Sequence, residues 1–562
     1  MSEQSAPLPA VVLSPGRRTV VLLVILLAFF MDLLDTTIVN VAIPSIRTNL
    51  GASYSSVQWI IAGYQLAFAL LLITGGRLGD IFGYRNIFVG GMALFTLASA
   101  LCGFAQSTEM LIASRLLQGA GAALMVPQIL STIQIMYSSQ ERANVSAFYG
   151  ALAGLAAVSG PIVGALLITG DVWGLGWRTI FLVNVPIGIF ATVAAFFLMP
   201  KVKSPHPLRL DLVGVGLTLV ALLFLMYPLI QGRELDWPHW TYWMMAASIP
   251  VFLIFAIDQA RKGKRNGSPL VEPSLFRTRS FVAGLAINAA MFGVVAGFFL
   301  MFTIFLQIGL GYSVLRAGLS GIPFSIGISI TAGLAGSFFV PRLGRWSLTI
   351  GSLVMAIGIG VIAWTTWYFG GDLSPWEMIP GLFIAGAGMG MVVAPIVVFI
   401  LAEVPIEHAG SGSGLINAVG QVGGAIGVAV IGVIFFGVLA SNADNASTSV
   451  RPELVSDLSA AGIGEPIQGF VVSGFQNCFR DRSKAKDPSA VPASCNPPPG
   501  FTLPAAVATA LELRAREANQ RNFTNAFAYT LWYEIAALLV ICLLTFFLPR
   551  QVRQLEGAPM MA

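Results

Sequence analysis

The sequence predicts an all-α membrane protein with fourteen transmembrane helices. Of its 562 residues, 56% are hydrophobic and only 10% are charged, and the mean hydropathy is +0.81. Soluble globular domains carry about 25% charged residues, so a soluble protein of this length would have no interior large enough for its apolar residues. Glycine contributes 60 residues, more than the usual share of about 7%, which suits helices that pack closely within lipid.

Fourteen apolar runs of about 20 residues, the length that crosses the hydrocarbon core as a helix, recur along the chain. Their approximate limits, numbered here as spans 1 to 14, are 19–43, 56–78, 86–105, 109–136, 143–168, 178–199, 211–231, 240–260, 280–308, 313–340, 347–369, 376–401, 410–438 and 526–548. Arg17 and Arg18 precede span 1, which is too long for the apolar region of a cleavable signal peptide. We therefore expect span 1 to remain in the membrane.

The placement of Lys and Arg predicts that both termini face the cytoplasm. An even number of spans puts the termini on one side of the membrane. With that side inside, the short cytoplasmic segments carry 18 Lys and Arg residues against 4 in the short external loops. Because an excess of Lys and Arg marks cytoplasmic loops, the sequence predicts a multi-pass protein of the cell membrane.

Several chemistries are not expected from this sequence. The three histidines fall in connecting segments, so no metal site is predicted. The basic residues do not interleave with aromatic residues along one face, as they do in proteins that bind nucleic acid. The chain has no phosphate-binding loop, nucleophile elbow or zinc-protease motif, so no cofactor and no enzymatic activity are predicted. Any transport must draw its energy from an ion gradient or from a partner.

A weak internal repeat predicts two halves. The tripeptide that begins at Glu141, before span 5, has a counterpart that begins at Glu407, before span 13, and the glycines and proline of span 4 recur in span 12 at a similar offset. Repeats of this kind place a binding site at the interface of the halves, near the bilayer midplane. The predicted domains are a cytoplasmic N-terminus (1–18), an N-terminal six-helix bundle (19–200), two inserted helices with cytoplasmic linkers (201–279), a C-terminal six-helix bundle (280–548) and a cytoplasmic tail (549–562).

Within the C-terminal bundle, residues 439–525 form a long external loop between spans 13 and 14. The loop contains Cys478 and Cys495. An oxidising external compartment permits a disulfide bond between them, while their spacing alone leaves the geometry open. Two interpretations of this loop remain, an extracellular cap or gate and a partly ordered insertion.

Two carboxylates lie deep in span 1. At 1.5 Å per residue, Asp32 lies about 20 Å and Asp35 about 24 Å from Thr19, near or just past the midplane. Their i, i+3 spacing places both on one face of the helix, and an ionised carboxylate at this depth costs at least ~2.5–3.5 kcal/mol. These acids must therefore be paired, hydrated or protonated. Proton or cation coupling is one interpretation, and permanent pairing with a cation is the other.

Arg115 in span 4 is the candidate partner of these acids. A guanidinium stays charged, so it can favour the ionised form of a nearby carboxyl in one conformation and release it in another. A static ion pair that joins two helices is the alternative. Glu534, about 12 Å into span 14, is a candidate second proton site or an acid in a water-filled vestibule.

Polar and aromatic side chains in several spans are candidates to line a substrate cavity. They are Asn40, Tyr64, Gln65, Gln118, Asn288, Phe292 and Phe299. Phe292 and Phe299 share one stripe of span 9, a pattern that is equally typical of helix packing. The motif of span 5, which consists of Gly160, Pro161 and Gly164, allows close helix packing. Two interpretations of it remain, ordinary packing and a seam along which helices slide.

Several motifs match one family together. The turn between spans 2 and 3 matches the pattern GxLaDrxGrk at Gly76, Leu78, Asp80, Gly83 and Arg85, and departs from it at Ile81 and Tyr84. Span 4 matches lxxxRxxqGxgaa around Arg115, and span 5 matches gxxxGPxxGG at Gly160, Pro161 and Gly164. With LDTTIVNVAIP in span 1 and FLVNVPIG in span 6, the chain resembles the major facilitator superfamily, in particular its fourteen-helix drug:proton antiporters of the multidrug and quaternary-ammonium resistance type.

The resemblance implies a proton-driven exporter of amphipathic, often cationic drugs that works by alternating access. It implies that Asp35 is the coupling or substrate-recognition carboxylate and that Arg115 is its proton-relay partner. It also implies that Gly76, Asp80, Gly83 and Arg85 latch the cytoplasmic side. Asp32 is extra relative to the family's usual pattern in span 1, which leaves open which aspartate titrates.

The expected partners are a small-molecule substrate, protons and the lipid bilayer, with the protein as a monomer and no nucleic acid bound. A dedicated exporter of one endogenous product, such as an antibiotic, siderophore or lipid, is the second functional hypothesis. A membrane receptor or enzyme without transport is a third, from another class.

Overall fold

A computed structural model describes residues 14–137, 139–204, 209–265, 268–404, 409–484, 491–496 and 504–551. These residues form α-helices joined by short turns, and the ranges just given contain no strand, which confirms the all-α fold class. Residues 1–13 of the predicted N-terminal segment and 552–562 of the predicted tail lie outside the described residues. So do 485–490 and 497–503 of the long loop, and Glu407 and His408 of the repeated tripeptide.

The first nine spans of the sequence correspond to ten helices. They are α1 (Pro15–Leu50), α2 (Tyr54–Phe82), α3 (Tyr84–Gly103), α4 (Thr108–Met136), α5 (Ser139–Thr169), α6 (Thr179–Leu182), α7 (Asn184–Leu198), α8 (Leu212–Gln231), α9 (His239–Lys264) and α10 (Arg279–Ile304). Span 6 is divided between α6 and α7, and a π-helical turn at Phe305–Gly309 extends α10.

Of the ten remaining helices, three lie within the interrupted span 10 and three lie in the long loop after span 13. The ten are α11 (Val314–Ser320), α12 (Ile322–Leu334), α13 (Val340–Leu343), α14 (Trp346–Phe369), α15 (Pro375–Leu401), α16 (Ala409–Ser441), α17 (Ala443–Ser449), α18 (Arg451–Ala460), α19 (Glu465–Lys484) and α20 (Ala505–Leu544). Helices α11 to α13 together form span 10, with a π-helical turn at Ala335–Phe339 between the last two.

Thirteen helical segments of the described chain are long and apolar enough to cross a membrane. Span 5 corresponds to α5, which runs from Ser139 to Thr169 and is not among these thirteen. Every predicted run therefore coincides with a helix, while the count of fourteen membrane crossings stays a prediction. We call the side that carries the first residues of α1 and the end of α20 the terminal face, and the side that carries α17 to α19 the loop face.

The helices pack in two sets, one before and one after the α8–α9 pair. In the first set, α4 packs against both α2 and α3, α1 packs against α5, and α7 packs against α3. In the second set, α15 packs against α12 and α14, and α10 packs against α16. The two sets meet where α2 contacts α16 and where α5 contacts α11 and α12. A space between them is thus bounded by α1, α2, α5, α10, α12 and α16.

The α8–α9 pair lies at the edge of this arrangement. Helix α8 contacts both α2 and α16, whereas α9 contacts mainly α8 and buries few of its residues, as expected for a helix that faces lipid. At the terminal face the guanidinium of Arg77, in α2, donates to the backbone carbonyls of Arg209, Ser268 and Pro269. Both linkers of the pair are therefore fastened to α2.

The buried carboxylate of Asp211 also connects the two linkers of the α8–α9 pair. Asp211 caps α8 by accepting from the N–H of Gly214 at 2.8 Å, and it also accepts from Gln259, from the N–H of Leu270 and, at 2.6 Å, from Lys262. Burial opposes its ionisation, but these donors together hold the pKa of Asp211 below its usual value. The pair is thus held at both of its linkers by charge-assisted hydrogen bonds.

The long loop folds into a small helical domain. Helices α17 and α18 pack against α20, and Leu454, Leu458, Val471, Val472 and Val507 form a separate apolar core. A disulfide bond joins Cys478 to Cys495. Helix α20 starts about 20 residues before residue 526, because this domain supports its polar N-terminal half outside the apolar span.

Candidate transport site

A cavity of about 250 Å³ lies between the two sets of helices, from the middle of α1 toward the loop face. Asp32, Thr36 and Asn40 line it from α1, and Phe292 and Phe299 line it from α10. Further lining residues include Gln65, Pro161, Phe302, Thr303, Phe324, Ser325 and Gln421. The wall combines phenyl rings with amide and hydroxyl groups around a single carboxylate, which is typical of a site for an organic molecule.

Contacts between the two sets close this cavity toward the loop face. The Nε2 of Gln307 donates to the carbonyl of Val41 at 3.0 Å, and the rings of Tyr54 and Phe436 lie 3.9 Å apart. A Cβ atom at Gly318 would lie 2.8 Å from the carbonyl oxygen of Pro161. Since these contacts join α1, α2 and α5 to the later helices, opening toward the loop face requires all of them to separate.

Asp32 is the carboxylate that faces the cavity. Its side chain is 3% exposed and accepts a hydrogen bond from the phenolic O–H of Tyr64. Tyr64 itself is fully buried, and its ring lies under the guanidinium of Arg115, 4.2 Å from the ring centroid. Tyr64 therefore contacts both Arg115 of α4 and the carboxylate of Asp32.

Asp35 lies in the interior of the first helix set and does not line the cavity. It forms a buried ion pair with Arg115. Its other oxygen accepts from Gln118 at 2.8 Å and from Asn184 at 3.1 Å. The two amides also donate to the hydroxyl of Ser99, each at 3.2 Å. Asp35 thus accepts from a charged donor on one oxygen and from two neutral amides on the other, as a buried ion requires.

Arg115 has further hydrogen-bond partners. Besides Asp35, its guanidinium donates to the side-chain oxygen of Gln118 at 2.7 Å and to the carbonyl of Ile60 at 3.1 Å. The side chains Asp32, Tyr64, Arg115 and Asp35 therefore form a continuous chain of contacts from the cavity into the helix interior. Such a chain allows a change of charge at one carboxylate to be felt at the other.

The structure separates the predicted cavity residues into two groups. Asn40, Gln65, Phe292 and Phe299 line the cavity, and Tyr64, Gln118 and Asn288 do not. Tyr64 and Gln118 belong to the buried chain described above. Asn288 donates to the carbonyl of Ile416 at 2.9 Å and so joins α10 to α16. These three side chains face hydrogen-bond partners inside the bundles because an amide or phenol that is buried without one is costly.

Glu534 lies apart from this chain, in the second helix set. Its side chain is 1% exposed, and neither carboxyl oxygen has a hydrogen-bond partner in the part of the chain that the structure describes. Helix α20 packs along α14 here, and the neighbouring Leu531 and Leu538 are also buried. The structure therefore places an isolated acid in an apolar surrounding.

The turn between α2 and α3 is compact. Gly83 has φ +97°, a conformation that favours glycine. The carboxylate of Asp80 accepts from the hydroxyl of Tyr84 at 2.9 Å, and Arg85 donates to the carbonyl of Phe196 at 3.1 Å. Gly76 lies against Pro127 of α4. In this conformation the turn contacts α4, α7 and its own residues.

The glycines of α5 bring this helix close to α1. A Cβ at Gly160 would clash with Thr37, and one at Gly164 would lie 2.7 Å from the side chain of Ile38. Pro161 between them lines the cavity. The motif of span 5 therefore lies at a junction between α1, the cavity and α11.

Two functional candidates were absent from the sequence expectations, Ser99 and Asn184. Both are fully buried and complete the donors around Asp35. Asn184 falls inside the matched FLVNVPIG motif, and an amide within an apolar span is itself a signal, because polar groups in the membrane are retained where they have partners.

A multi-pass all-α fold with a largely apolar cavity around one carboxylate, between two helix sets, is typical of a membrane transporter. Comparison with known proteins identifies the family: residues 25–428 match the model of the Major Facilitator Superfamily, and the chain belongs to it. Membership and the names of its relatives establish a transporter rather than an enzyme.

Relatives with known names are similar over most of the chain. A probable actinorhodin transporter of Streptomyces coelicolor is 41% identical over 542 residues, which cover 96% of this chain and 93% of the relative. The methylenomycin A resistance protein of Bacillus subtilis is 33% identical over 74% of this chain and 87% of the relative. The multidrug resistance protein Stp of Mycobacterium tuberculosis is 31% identical over 73% of this chain and 74% of the relative.

Solved structures show the same fold. A bacterial homologue of the human lysosomal transporter Spinster superimposes with a TM-score of 0.58 at 16% identity, covering 95% of this chain and 97% of that one.

Proposed function

We propose that this transporter exports amphipathic, often cationic compounds in exchange for protons, by alternating access. The observation that carries the proposal is the chain Asp32–Tyr64–Arg115–Asp35, which connects the cavity carboxylate to a buried ion pair. The names of the relatives, which include antibiotic and multidrug resistance proteins, support export as the direction.

In this proposal Asp32 is the carboxylate that meets both substrate and proton. It faces the cavity, whereas Asp35 has all of its partners within the helix interior. A cationic substrate next to Asp32 favours the ionised carboxylate, and loss of that cation favours its protonation. Arg115 and Asp35 then act as the proton relay that the sequence motifs imply, and Glu534 is proposed as a second proton-carrying carboxyl.

The remaining residues of the site have supporting roles in the proposal. Aromatic rings at Phe292 and Phe299 provide apolar area for an amphipathic substrate. The turn that contains Gly76, Asp80, Gly83 and Arg85 latches the terminal face when the loop face is open. The terminal face is proposed to be cytoplasmic, with both termini inside, because of the excess of Lys and Arg in its segments.

The proposed organisation is that of two six-helix bundles, 19–200 and 280–548, with α8 and α9 as the insertion and the chain as a monomer. Fastening of both linkers to Arg77 supports movement of the inserted pair together with the first bundle.

Proteoliposomes test the exchange directly. The purified protein is reconstituted with a pH-sensitive dye, and proton flux is recorded while cationic and neutral compounds are added one at a time. We expect cationic amphipathic compounds to elicit proton movement in the wild type and not in Asp32→Asn. Asp372→Asn, an exposed acid remote from the cavity, is the matched control and is expected to behave as the wild type. Equal proton flux in Asp32→Asn would contradict the proposal.

A dedicated exporter of one endogenous product is the second candidate. The observation that favours it is the match to a probable actinorhodin transporter, which extends over 96% of this chain, whereas the two resistance proteins match about three quarters of it. The same panel separates the two: a dedicated exporter moves one compound, and a multidrug exporter moves many unrelated ones.

A further inference from the structure

A second cavity of about 460 Å³ lies at the loop face, outside the transport site. It forms where four parts of the chain meet: Tyr54 at the start of α2, the turn at residues 233–236 between α8 and α9, the last turns of α16, and Lys484 at the end of α19. The cavity thus touches both helix sets, the inserted pair and the external domain. Its volume suits a small organic ligand.

Basic groups lie at and beside this cavity: Arg233 and Lys484 line it, and Arg47 lies next to Tyr54. The guanidinium of Arg233 lies 5.8 Å from the ring centroid of Tyr54 and 5.6 Å from that of Phe436. Arg47 lies over the same Tyr54 ring at 4.0 Å, and its Nε has no hydrogen-bond partner among the described residues. Within those same residues neither arginine has a carboxylate at ion-pair distance, although the chain elsewhere contains many ion pairs.

Two acids, Glu234 and Asp236, also line the cavity. Glu234 directs its Oε1 to the backbone N–H of Ser55, at 3.1 Å, and so caps the start of α2. Asp236 is the other lining acid. The lining thus has two basic and two acidic groups, one of the acids accepts from the backbone, and Arg47 adds a third basic group on the other side of the contact with Tyr54. Burial and the charge of Arg47 lower the pKa of Arg233, against the opposing effects of Tyr54 and Glu234.

We propose that this cavity is a binding site for an organic anion that carries a phosphate or carboxylate group. Arg233 and Lys484 hold the anionic group, and Tyr54 supplies an aromatic surface for the remainder. Guanidinium groups bind such anions through charge-assisted hydrogen bonds. The anion is either the headgroup of an acidic lipid or a free molecule outside the cell, because both present the same chemistry.

Occupancy has a consequence for gating. The ligand contacts Tyr54 on one side and the end of α16 on the other, which are the elements that separate when the loop face opens. A ligand that binds the closed loop face more tightly than the open one shifts the population toward the closed form. This consequence rests on the proposed alternating access, whereas binding itself does not.

Binding is tested on the full chain in detergent and in nanodiscs, with inorganic phosphate as the soluble probe. Thermal unfolding is followed as phosphate is titrated at constant ionic strength against chloride. We expect phosphate to raise the unfolding temperature of the wild type, with an apparent affinity reduced about tenfold or more in Arg233→Gln and Lys484→Gln. Arg233→Lys retains the charge and is expected to recover part of the affinity.

Arg316→Gln is the matched control. Arg316 is an exposed loop-face arginine over an aromatic ring, at 3.9 Å from the centroid of Tyr312, but it lines neither of the two cavities described here. We expect this variant to respond to phosphate as the wild type does. An equal phosphate response in the wild type, Arg233→Gln and Arg316→Gln would identify a general ion effect and overturn the site.

Nanodiscs distinguish the two sources of the anion. If the headgroup of an acidic lipid is the ligand, nanodiscs with phosphatidylglycerol stabilise the wild type more than Arg233→Gln and suppress its phosphate response. If a free anion is the ligand, phosphate stabilises the wild type equally in phosphatidylcholine nanodiscs with and without phosphatidylglycerol. Absence of any phosphate or phosphatidylglycerol effect on the wild type would overturn the site, and absence of transport with binding intact would count against the proposed function alone.

Discussion

The same substitution is expected to destabilise the protein much more at Asp35 than at Asp32, the two aspartates of α1. Asp35→Asn removes the counter-ion of Arg115, which is 2% exposed. Breaking one partner of a buried ion pair leaves an uncompensated charge and costs about 3–5 kcal/mol. Asp32→Asn keeps an oxygen that accepts from Tyr64, so its cost is that of one altered hydrogen bond, about 0.5–1.5 kcal/mol. Asp35→Asn is therefore expected to be unstable, and Asp32→Asn stable but uncoupled.

The assay is reversible unfolding of the purified protein by SDS in mixed micelles, together with the proton-flux measurement on the same preparations. The double variant Asp35→Asn with Arg115→Gln removes both charges and is expected to be more stable than Asp35→Asn alone, since no unpaired ion remains. The reasoning is refuted if Asp35→Asn unfolds at the same SDS fraction as Asp32→Asn, or if the double variant is the least stable of the three.

Three further predictions concern packing, the external domain and the inserted pair. Gly427→Ala directs a methyl group at the backbone of Gly293 and is expected to cost about 1–3 kcal/mol, whereas Gly333→Ala, with open space around it, should leave SDS unfolding unchanged; equal effects would contradict the packing. Cys478→Ser opens a loop with a sequence separation of 17 and is expected to destabilise the external domain by about 3 kcal/mol, seen as faster proteolysis there with the membrane helices protected; unchanged proteolysis would show that the domain is stable without the bond. Because the pKa of Asp211 is held below its usual value, its stabilising effect is present above about pH 4 and is lost as the pH falls further. The unfolding temperature of the wild type should therefore exceed that of Asp211→Asn by the largest amount at pH 7, and this difference should shrink below about pH 4. A difference that grows on acidification would contradict a lowered pKa of Asp211.

The sequence predicts the helices well because the bilayer imposes a length and a composition on each. All fourteen apolar runs coincide with helices, since backbone groups in lipid must be paired within the segment. The start of α20 at Ala505 could not be predicted in this way. Hydropathy detects only the part that faces lipid, whereas the polar first half is helical because it packs on Leu454 and Leu458 and forms ion pairs such as Arg514 with Asp457.

The candidate site could be predicted in part. Asp32, Asp35 and Arg115 could be selected from the sequence because charged residues within membrane spans are costly and are therefore usually functional. The different positions of Asp32 and Asp35 depend on the angle between their side chains around the helix axis. Three residues of α-helix turn by about 300°, so the two carboxylates point about 60° apart. That difference places Asp32 in the cavity and Asp35 against Arg115, and it follows from how α1 is rotated against α4, which no local pattern records.

The measurement that tests the central claim most directly is uphill export from sealed everted vesicles while the pH difference is removed by nigericin. We predict that accumulation of a cationic amphipathic compound stops in the wild type once the pH difference is lost, and that Asp32→Asn vesicles show no accumulation even with the pH difference intact. Continued uphill accumulation after the pH difference has collapsed would contradict the account.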